Sequence, residues 1–429
     1  MNPYYSDHGI TIYCGDNREV LSHLSRIDCV LTDPPYGIGF MGKDWDTFNL
    51  AHLQAKRESD KKRKPRADGR KVAAWGNGAD AGAYDQSLKG HQGFQSWCQE
   101  WAELVLEACK PGAMLMCFGG TRTQHRMISG IEDAGWEIRD CLMWLYGSGF
   151  PKSLDISKAI DKSKREKRAL IKDSDGNQVW TSLKQGKRSM FDGGKERPAS
   201  YPASDLAKEW SGWGTALKPA WEPIVLAMKP LDGTFAQNAE KHGVAGLAID
   251  KGRITYSTPT GRWPSNLLLD EESAEVLDQE VGELPGATSR TDTISRGMFA
   301  GGNAGTIYQD TGKPSRFFYI AKADNSDRGN QDAQDLPLFN QTDPGLKNIH
   351  PTVKPLELME KLILLNMYLL KLTSTPTGGI VLDPFMGSGS TLVAAKRLGR
   401  PAIGIEKEEA YVKIAIERLK NTPLPLGKI

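Results

Sequence analysis

The sequence predicts an α/β protein built on a doubly wound parallel sheet. Two observations carry that prediction. Short apolar runs that end on turn residues recur towards both ends of the chain, and helical periods fill the intervals between them. The runs are Ile10–Cys14 before Gly15, residues 29–32 before Asp33, 114–118 before Gly119, 380–382 before Asp383, and 402–405 before Glu406. Each is too short for a helix and mostly apolar, as a strand buried on both faces must be. Phe94, Trp97, Trp101, Leu104 and Ala108 recur every three or four residues, and Leu356, Met359, Leu362 and Leu369 do so more loosely, so helices are expected there.

The middle of the chain reads differently. Residues 151–211 and 231–315 are rich in Gly, Ser, Pro and charge, with few clean periods, and are expected to be insertions. Residues 212–230 hold the run IVLAM and residues 316–322 read RFFYIAK, each a candidate sheet strand. The expected organisation is a first catalytic part at 1–150, a basic insertion at 151–211, a catalytic strand at 212–230, a target-recognition region at 231–315 and a second catalytic part at 316–429. With 429 residues the chain is long enough for one large interrupted domain.

Composition excludes several classes. No apolar run approaches the length of a membrane span, and the first residues lack the basic and apolar regions of a secretory signal. A cytoplasmic protein without membrane contact is expected. The six cysteines (14, 29, 98, 109, 117 and 141) never form a CxxC pair and the seven histidines are scattered, so buried free thiols and no metal site are expected. A net charge of +2 neither requires nor forbids a polyanion. Residues 56–71, KRESDKKRKPRADGRK, and the Lys/Arg-rich stretch 152–197 could meet phosphates or could be solvated loops.

Two motifs carry chemistry. The first strand-like run to end in a carboxylate gives LTDPPYGIGF, placing Asp33, Pro34, Pro35 and Tyr36 at a strand's carboxyl end, where open α/β sheets gather their ligand sites. Asp-Pro-Pro is also ordinary turn chemistry, and Tyr36 could be a packed aromatic. As a site, the tetrapeptide suits an exocyclic amino group. Its nitrogen lone pair is drawn into the ring, and a carboxylate plus a main-chain carbonyl near Pro34 could accept its two hydrogens while Tyr36 stacks on the base. The second motif is VLDPFMGSGST, in which Gly387 and Gly389 follow a strand and precede a helical pattern. It lacks the Gly-Lys-Ser/Thr ending of a triphosphate loop, and it is not a dinucleotide GxGxxG. Glu406, about twenty residues on at the end of the next strand, could accept bonds from ribose hydroxyls, a spacing that suits an adenosyl cofactor.

DPPY near the start, NIHPTVKP later and DPFMGSGST near the end resemble the amino-group DNA methyltransferases, and the order, catalytic motif before cofactor motif, resembles their beta group. GDNREVLSHL, MWLYGSGFPKS, TALKPAWEPI, RFFYIAKADNSDRG and GRPAIGIEKEEAYVKIAIERL also resemble segments of the family, especially in phage and prophage adenine methyltransferases. The resemblance implies a Rossmann-like S-adenosylmethionine-dependent methyltransferase fold, circularly ordered, with inserted recognition regions. It implies a catalytic pocket at Asp33 to Tyr36 and a cofactor site lined by Asp383, Phe385, Gly387, Gly389 and Thr391. Glu406 would bind the ribose, Asp16 the cofactor's adenine, and Thr352 and Lys354 would lie beside the methionine end.

The implied reaction is direct methyl transfer to adenine N6 of a flipped base. Cytosine N4 is the first rival; in the family Asp before PPY leans towards adenine and Ser towards cytosine, which favours adenine here. RNA or glutamine methylation would show Asn before PPY and the opposite motif order. An inactive DNA-binding homologue would have lost the acidic residue or the glycine loop. Cytosine C5 chemistry lacks its Pro-Cys, and zinc deamination lacks PCxxC. The implied partner is double-stranded DNA, with a cognate restriction endonuclease or a homodimer as further candidates, in the bacterial cytoplasm. Arg253, Arg262, Arg290 and Arg296 are the candidate base or phosphate contacts.

Overall fold

The computed structural model describes residues 2–37, 88–147, 153–171, 174, 180–181, 197–198, 200–254, 261–284, 311–321, 353–367 and 379–425. Residues 56–71, Arg290, Arg296, Thr352 and Leu369 lie outside them, as does much of 152–197. Two compact units form, one from residues 1–147 and 221–429 and the other from 148–220.

In the larger unit the described strands are β1 (Tyr5–Asp7), β2 (Ile10–Cys14), β3 (Ile27–Thr32), β4 (Cys109–Phe118) and β5 (Glu137–Leu145), followed, after the short β6 (Trp180–Thr181) and β7 (Arg197–Pro198) of the smaller unit, by β8 (Trp221–Met228), β9 (Leu267–Asp270), β10 (Tyr319–Ala321), β11 (Val381–Asp383) and β12 (Ala402–Glu406). The sheet order is β1-β2-β12-β11-β3-β4-β8-β5-β9-β10. Pairing is parallel from β2 through β12, β11 and β3 to β4, and again from β5 to β9 and β10. β1 runs antiparallel to β2, and β8 runs antiparallel to both of its neighbours, β4 and β5. The strand expected from IVLAM is therefore reversed, and its first residues, not its last, lie at the edge where the parallel strands end.

All five parallel strands expected from the apolar runs are present, because each is buried on both faces. β3 is buried at every position. Alternate residues feed two cores: Cys29 and Leu31 pack into one, and Val30 into the other. The first core is closed by helices α4 (Leu356–Met367), α5 (Ser390–Arg397) and α6 (Glu409–Lys420), through Leu358, Leu362, Leu392, Val412 and Leu419. The second is closed by α1 (Asn17–Leu21), α2 (Leu88–Ala108) and α3 (Gln124–Asp133), through Leu21, Phe94, Trp101, Val105 and Ile131. Helix layers on both faces of a mostly parallel sheet make a three-layer α/β/α fold, the Rossmann-like architecture that the resemblance implies.

Residues 231–315 contribute β9 to this sheet and the helix Glu271–Val281, which Asp270 caps by accepting from the Ser273 amide. In the smaller unit, helices Ile156–Ser163 and Asp205–Glu209 are tied together by Asp161, which is 1% exposed. Its carboxylate accepts from Arg168 Nη1 at 2.8 Å, the Ala203 and Ser204 amides at 2.9 and 3.1 Å, and Ser204 Oγ at 2.8 Å. Burial opposes that charge, and the donors outweigh it, holding the carboxyl at about 2. Among the described residues no helix is long and apolar enough to cross a membrane.

Trp101, 1% exposed on α2, is with Trp136 one of the two largest buried side chains of the second core. Trp101→Ala should cost about 3–5 kcal/mol of stability, seen as a lower urea midpoint with an unchanged slope.

Candidate functional site

Parallel strands in register deliver their carboxyl ends to one edge of the sheet. Cys14 pairs with Glu406, Asp383 with Gly404, and Thr32 with Cys117, so the residues after β2, β12, β11, β3 and β4 share that edge. Asp16, Glu406, Asp383 and Asp33 all belong to it.

Asp33 to Tyr36 leave β3 as a loop fixed from three directions. Pro34 and Pro35 contribute no amide hydrogen and hold φ near its fixed value, which keeps the turn stiff. Thr123 Oγ1 donates to the Tyr36 carbonyl at 2.6 Å. Gly37 follows at φ +68°, where a Cβ would stand 2.5 Å from the Phe94 ring, so the chain can turn this closely against α2 only at glycine. Tyr36 Oη then donates to Asp33 Oδ1 at 2.8 Å.

A buried ammonium organises the rest of this pocket. Lys354, 6% exposed, sits just before α4 and donates to Glu222 Oε2 at 2.7 Å, Tyr36 Oη at 3.0 Å and Asp33 Oδ2 at 3.1 Å. Its charge also lies 4.7 Å from the centre of the Phe118 ring. Burial alone would discourage protonation, yet the carboxylates of Asp33 and Glu222 hold the ammonium charged, above the usual lysine range. Burial, with Asp33 and Glu222 beside it, pushes the Tyr36 hydroxyl well up, so it remains a neutral donor. Burial and then Glu222 lift Tyr146 to about 12.

The glycine loop from β11 to α5 is built around Asp383, 3% exposed. Its carboxylate accepts from Thr32 Oγ1 at 2.7 Å, Thr391 Oγ1 at 2.5 Å and the Phe385 amide at 3.1 Å. Burial raises its carboxyl to about 6 even though these three donors favour the charged form. Gly387 and Gly389 both have positive φ, at 51° and 81°, and a Cβ on Gly389 would meet that of Ala415 on α6 at 2.8 Å. Phe385 packs against Trp97 and Trp101 of α2, with ring centres 5.4 and 5.5 Å away. Glu406 accepts from the Gly387 amide at 3.0 Å and the Glu408 amide at 2.8 Å, and burial raises it to about 6. Asp16 caps α1 and takes a two-pronged contact from Arg18 at 2.8 and 2.9 Å, which holds it at about 2.

The structure thus brings Asp33 and Tyr36 together with Lys354, and Asp383, Phe385, Gly387, Gly389 and Thr391 into one loop with Glu406. Lys354, expected beside the cofactor's methionine end, makes its polar contacts to the Asp33 pocket. Thr352 lies outside the described residues. Arg253 bonds Asp250 at 2.7 Å and lies over the Trp263 ring, while Arg262 and Arg316 both lie over the Phe317 ring. No local pattern in the sequence marks Glu222, Thr32 or Thr123 as site residues. TALKPAWEPI resembles a family segment, but nothing in its spacing marks Glu222. Its place follows from the reversal of β8, which puts the strand's start at the functional edge.

The adenosyl group offers ribose hydroxyls and an exocyclic amine as donors and carries no phosphate. A site of carboxylates beside a glycine loop with no Cβ to block approach fits it, where a phosphate would call for cations or a cradle of free amides. The fold and the candidate site therefore fit the class of enzymes that use an adenosyl cofactor. Residues 27–417 match the family model described as DNA methylase of the N6/N4 type, and the chain belongs to that family, the amino-group DNA methyltransferases. It is a DNA-methylating enzyme with S-adenosylmethionine as its cofactor. It is similar to the type II methyltransferase M.HindIII of Haemophilus influenzae, 24% identical over 425 residues and 95% of each chain. It is also similar to M2.DpnII of Streptococcus pneumoniae, 52% identical over 71 residues, which are 17% of this chain and 24% of that one. Among solved structures, the cytosine-N4-specific PvuII DNA methyltransferase aligns over 100% of this chain and 98% of its own at 14% identity, TM-score 0.40. The M1.HpyAVI–SAM complex aligns over 95% and 98% at 15% identity, TM-score 0.36.

Gly389→Ala places a side chain at φ +81° and against Ala415. It should lower stability by about 1–3 kcal/mol and weaken S-adenosylmethionine binding, read by thermal unfolding and by calorimetric titration.

Proposed function

We propose that the chain methylates N6 of an adenine flipped out of duplex DNA at a specific sequence, as a beta-group enzyme of the phage and prophage type. The observation that carries this reading is Asp33 at the head of DPPY, its carboxylate in a pocket with Tyr36. Asp33 and the main-chain carbonyl at Pro34 accept the two amino hydrogens and localise the nitrogen lone pair; Tyr36 offers its ring for stacking. S-adenosylmethionine, when bound, supplies an electrophilic methyl group on a positively charged sulfur. Positive charge then builds on the amino nitrogen, and Asp33 is the acceptor placed to meet it and the proton that nitrogen sheds. A thiol nucleophile has no part in this. Burial pushes the Cys117 thiol on β4 well above its ordinary range, so it stays protonated.

For the cofactor, we assign Glu406 to the ribose, Asp16 to the adenine, and the loop of Asp383, Phe385, Gly387, Gly389 and Thr391 to the remaining wall, with Thr352 and Lys354 towards the methionine end. Residues 231–315 read the target sequence, aided by the basic stretches 152–197 and 56–71. The type II names of the relatives support a restriction endonuclease as partner, with a homodimer as the other candidate assembly and the bacterial cytoplasm as the location.

Incubation with unmethylated DNA and methyl-labelled S-adenosylmethionine, followed by digestion to nucleosides, should yield labelled N6-methyladenine. Asp33→Ala should lose at least about a hundredfold in rate. Labelled N4-methylcytosine would overturn the base assignment and leave the pocket chemistry standing.

Glu406, raised to about 6, becomes protonated as pH falls through that value and loses its best acceptor capacity for hydroxyls. Affinity for S-adenosylmethionine should therefore weaken below pH 6, by at most about tenfold per pH unit. Glu406→Gln should bind more weakly and flatten the profile, whereas an unchanged profile in that variant would assign the titration to Asp383.

A further inference from the structure

Lys354 has three donors, and three acceptors take them: Glu222 Oε2 at 2.7 Å, Tyr36 Oη at 3.0 Å and Asp33 Oδ2 at 3.1 Å. Two carboxylates thus share one ammonium, and the shorter contact goes to Glu222. With both carboxylates charged, the cluster carries one net negative charge. We propose that Glu222 is a positioning residue of the methyl-transfer reaction: it engages the Lys354 ammonium, draws it off Asp33, and leaves a net negative pocket facing the amino group. The inference rests on the reading of Asp33 as the acceptor for that amino group.

The electrostatics explain why three charges serve where one carboxylate might be expected. Asp33 paired alone with Lys354 would be a neutral pair, its lone pairs committed to the ammonium and its field on the target nitrogen cancelled. Asp33 and Glu222 without Lys354 would be two like charges repelling at close range. The triad gives both carboxylates a counter-ion and still leaves one net negative charge in the pocket. Tyr36 completes it, since its hydroxyl donates to Asp33 and receives from Lys354, linking the stacking ring to the charge cluster. Glu222 can take part because β8 runs against β4. Phe118 at the end of β4 pairs with Ile224, which puts Glu222 beyond it at the functional edge.

The test compares Glu222→Gln, Lys354→Met and their double variant with the wild type. Each is measured for kcat and KM on unmethylated genomic DNA, for S-adenosylmethionine affinity by calorimetry, and for thermal midpoint. Losing one charge beside Asp33 should lower kcat of E222Q by about tenfold to a hundredfold, with KM and cofactor affinity within about threefold. The double variant restores a single net negative charge on Asp33. It is expected to exceed K354M in kcat, and to exceed E222Q where E222Q folds. A merely structural role predicts the opposite, a double variant no better than K354M; that result, or an E222Q kcat within twofold of wild type, overturns the inference. Asp33→Ala separates the two levels. If it keeps wild-type activity, the reading of the pocket fails; if it is inactive while E222Q is unaffected, only the role of Glu222 fails.

Discussion

The Asp383 carboxylate joins the two halves of the site. It accepts from Thr32, the last residue of β3, and from Thr391 in the first turn of α5, partners 351 and 8 residues away along the chain. Asp33 follows Thr32 directly, so a single buried carboxylate sets the position of the Asp33–Tyr36 loop relative to the glycine loop. A methyl transfer needs its two reactants held in line, and positions wrong by an ångström cost heavily in rate. The enzyme meets this need with short bonds inside the sheet, where side chains are locked by packing.

Charge is arranged with the same economy. Four carboxyl groups, Asp16, Asp33, Asp383 and Glu406, lie along one sheet edge, and each is handled differently. Asp16 is held ionised by Arg18, Asp33 is paired with Lys354, Asp383 is wrapped in hydroxyl and amide donors, and Glu406 rests on two amides. The two that lack a cationic partner are the two that burial raises to about 6. Asp16, held at about 2 by Arg18, stays charged across the physiological range. Cationic partners thus stand beside Asp16 and Asp33, while the loop carboxyls rely on neutral donors.

Most of the scaffold was legible in the sequence because parallel strands buried on both faces cannot hide. Residues 29–31 and 402–405 carry no polar side chain, as strands buried between two helix layers require. β5 was not legible, since Glu137–Leu145 alternates poorly and exposes several of its residues. β9 was not legible either, because the four residues LLLD carry no period. The glycine loop and DPPY are legible as motifs because they are local patterns with local causes. Glu222 has no such pattern, since its place in the cluster is created by strand direction and by a lysine 132 residues away.

That contrast marks a physical boundary in what a sequence can reveal. A turn that needs glycine, or a strand that needs apolar residues, leaves its requirement in adjacent letters. A buried ion cluster distributes its requirement over distant segments, each of which looks ordinary alone: KPAWEPI reads as the approach to a strand, and TVKP as the approach to a helix. Yet the cluster is constrained, because removing Lys354 would leave two carboxylates facing each other without a counter-ion. The constraint on Glu222 and Asp33 is therefore shared. Neither carboxylate's place makes sense from its own segment until Lys354 is set between them.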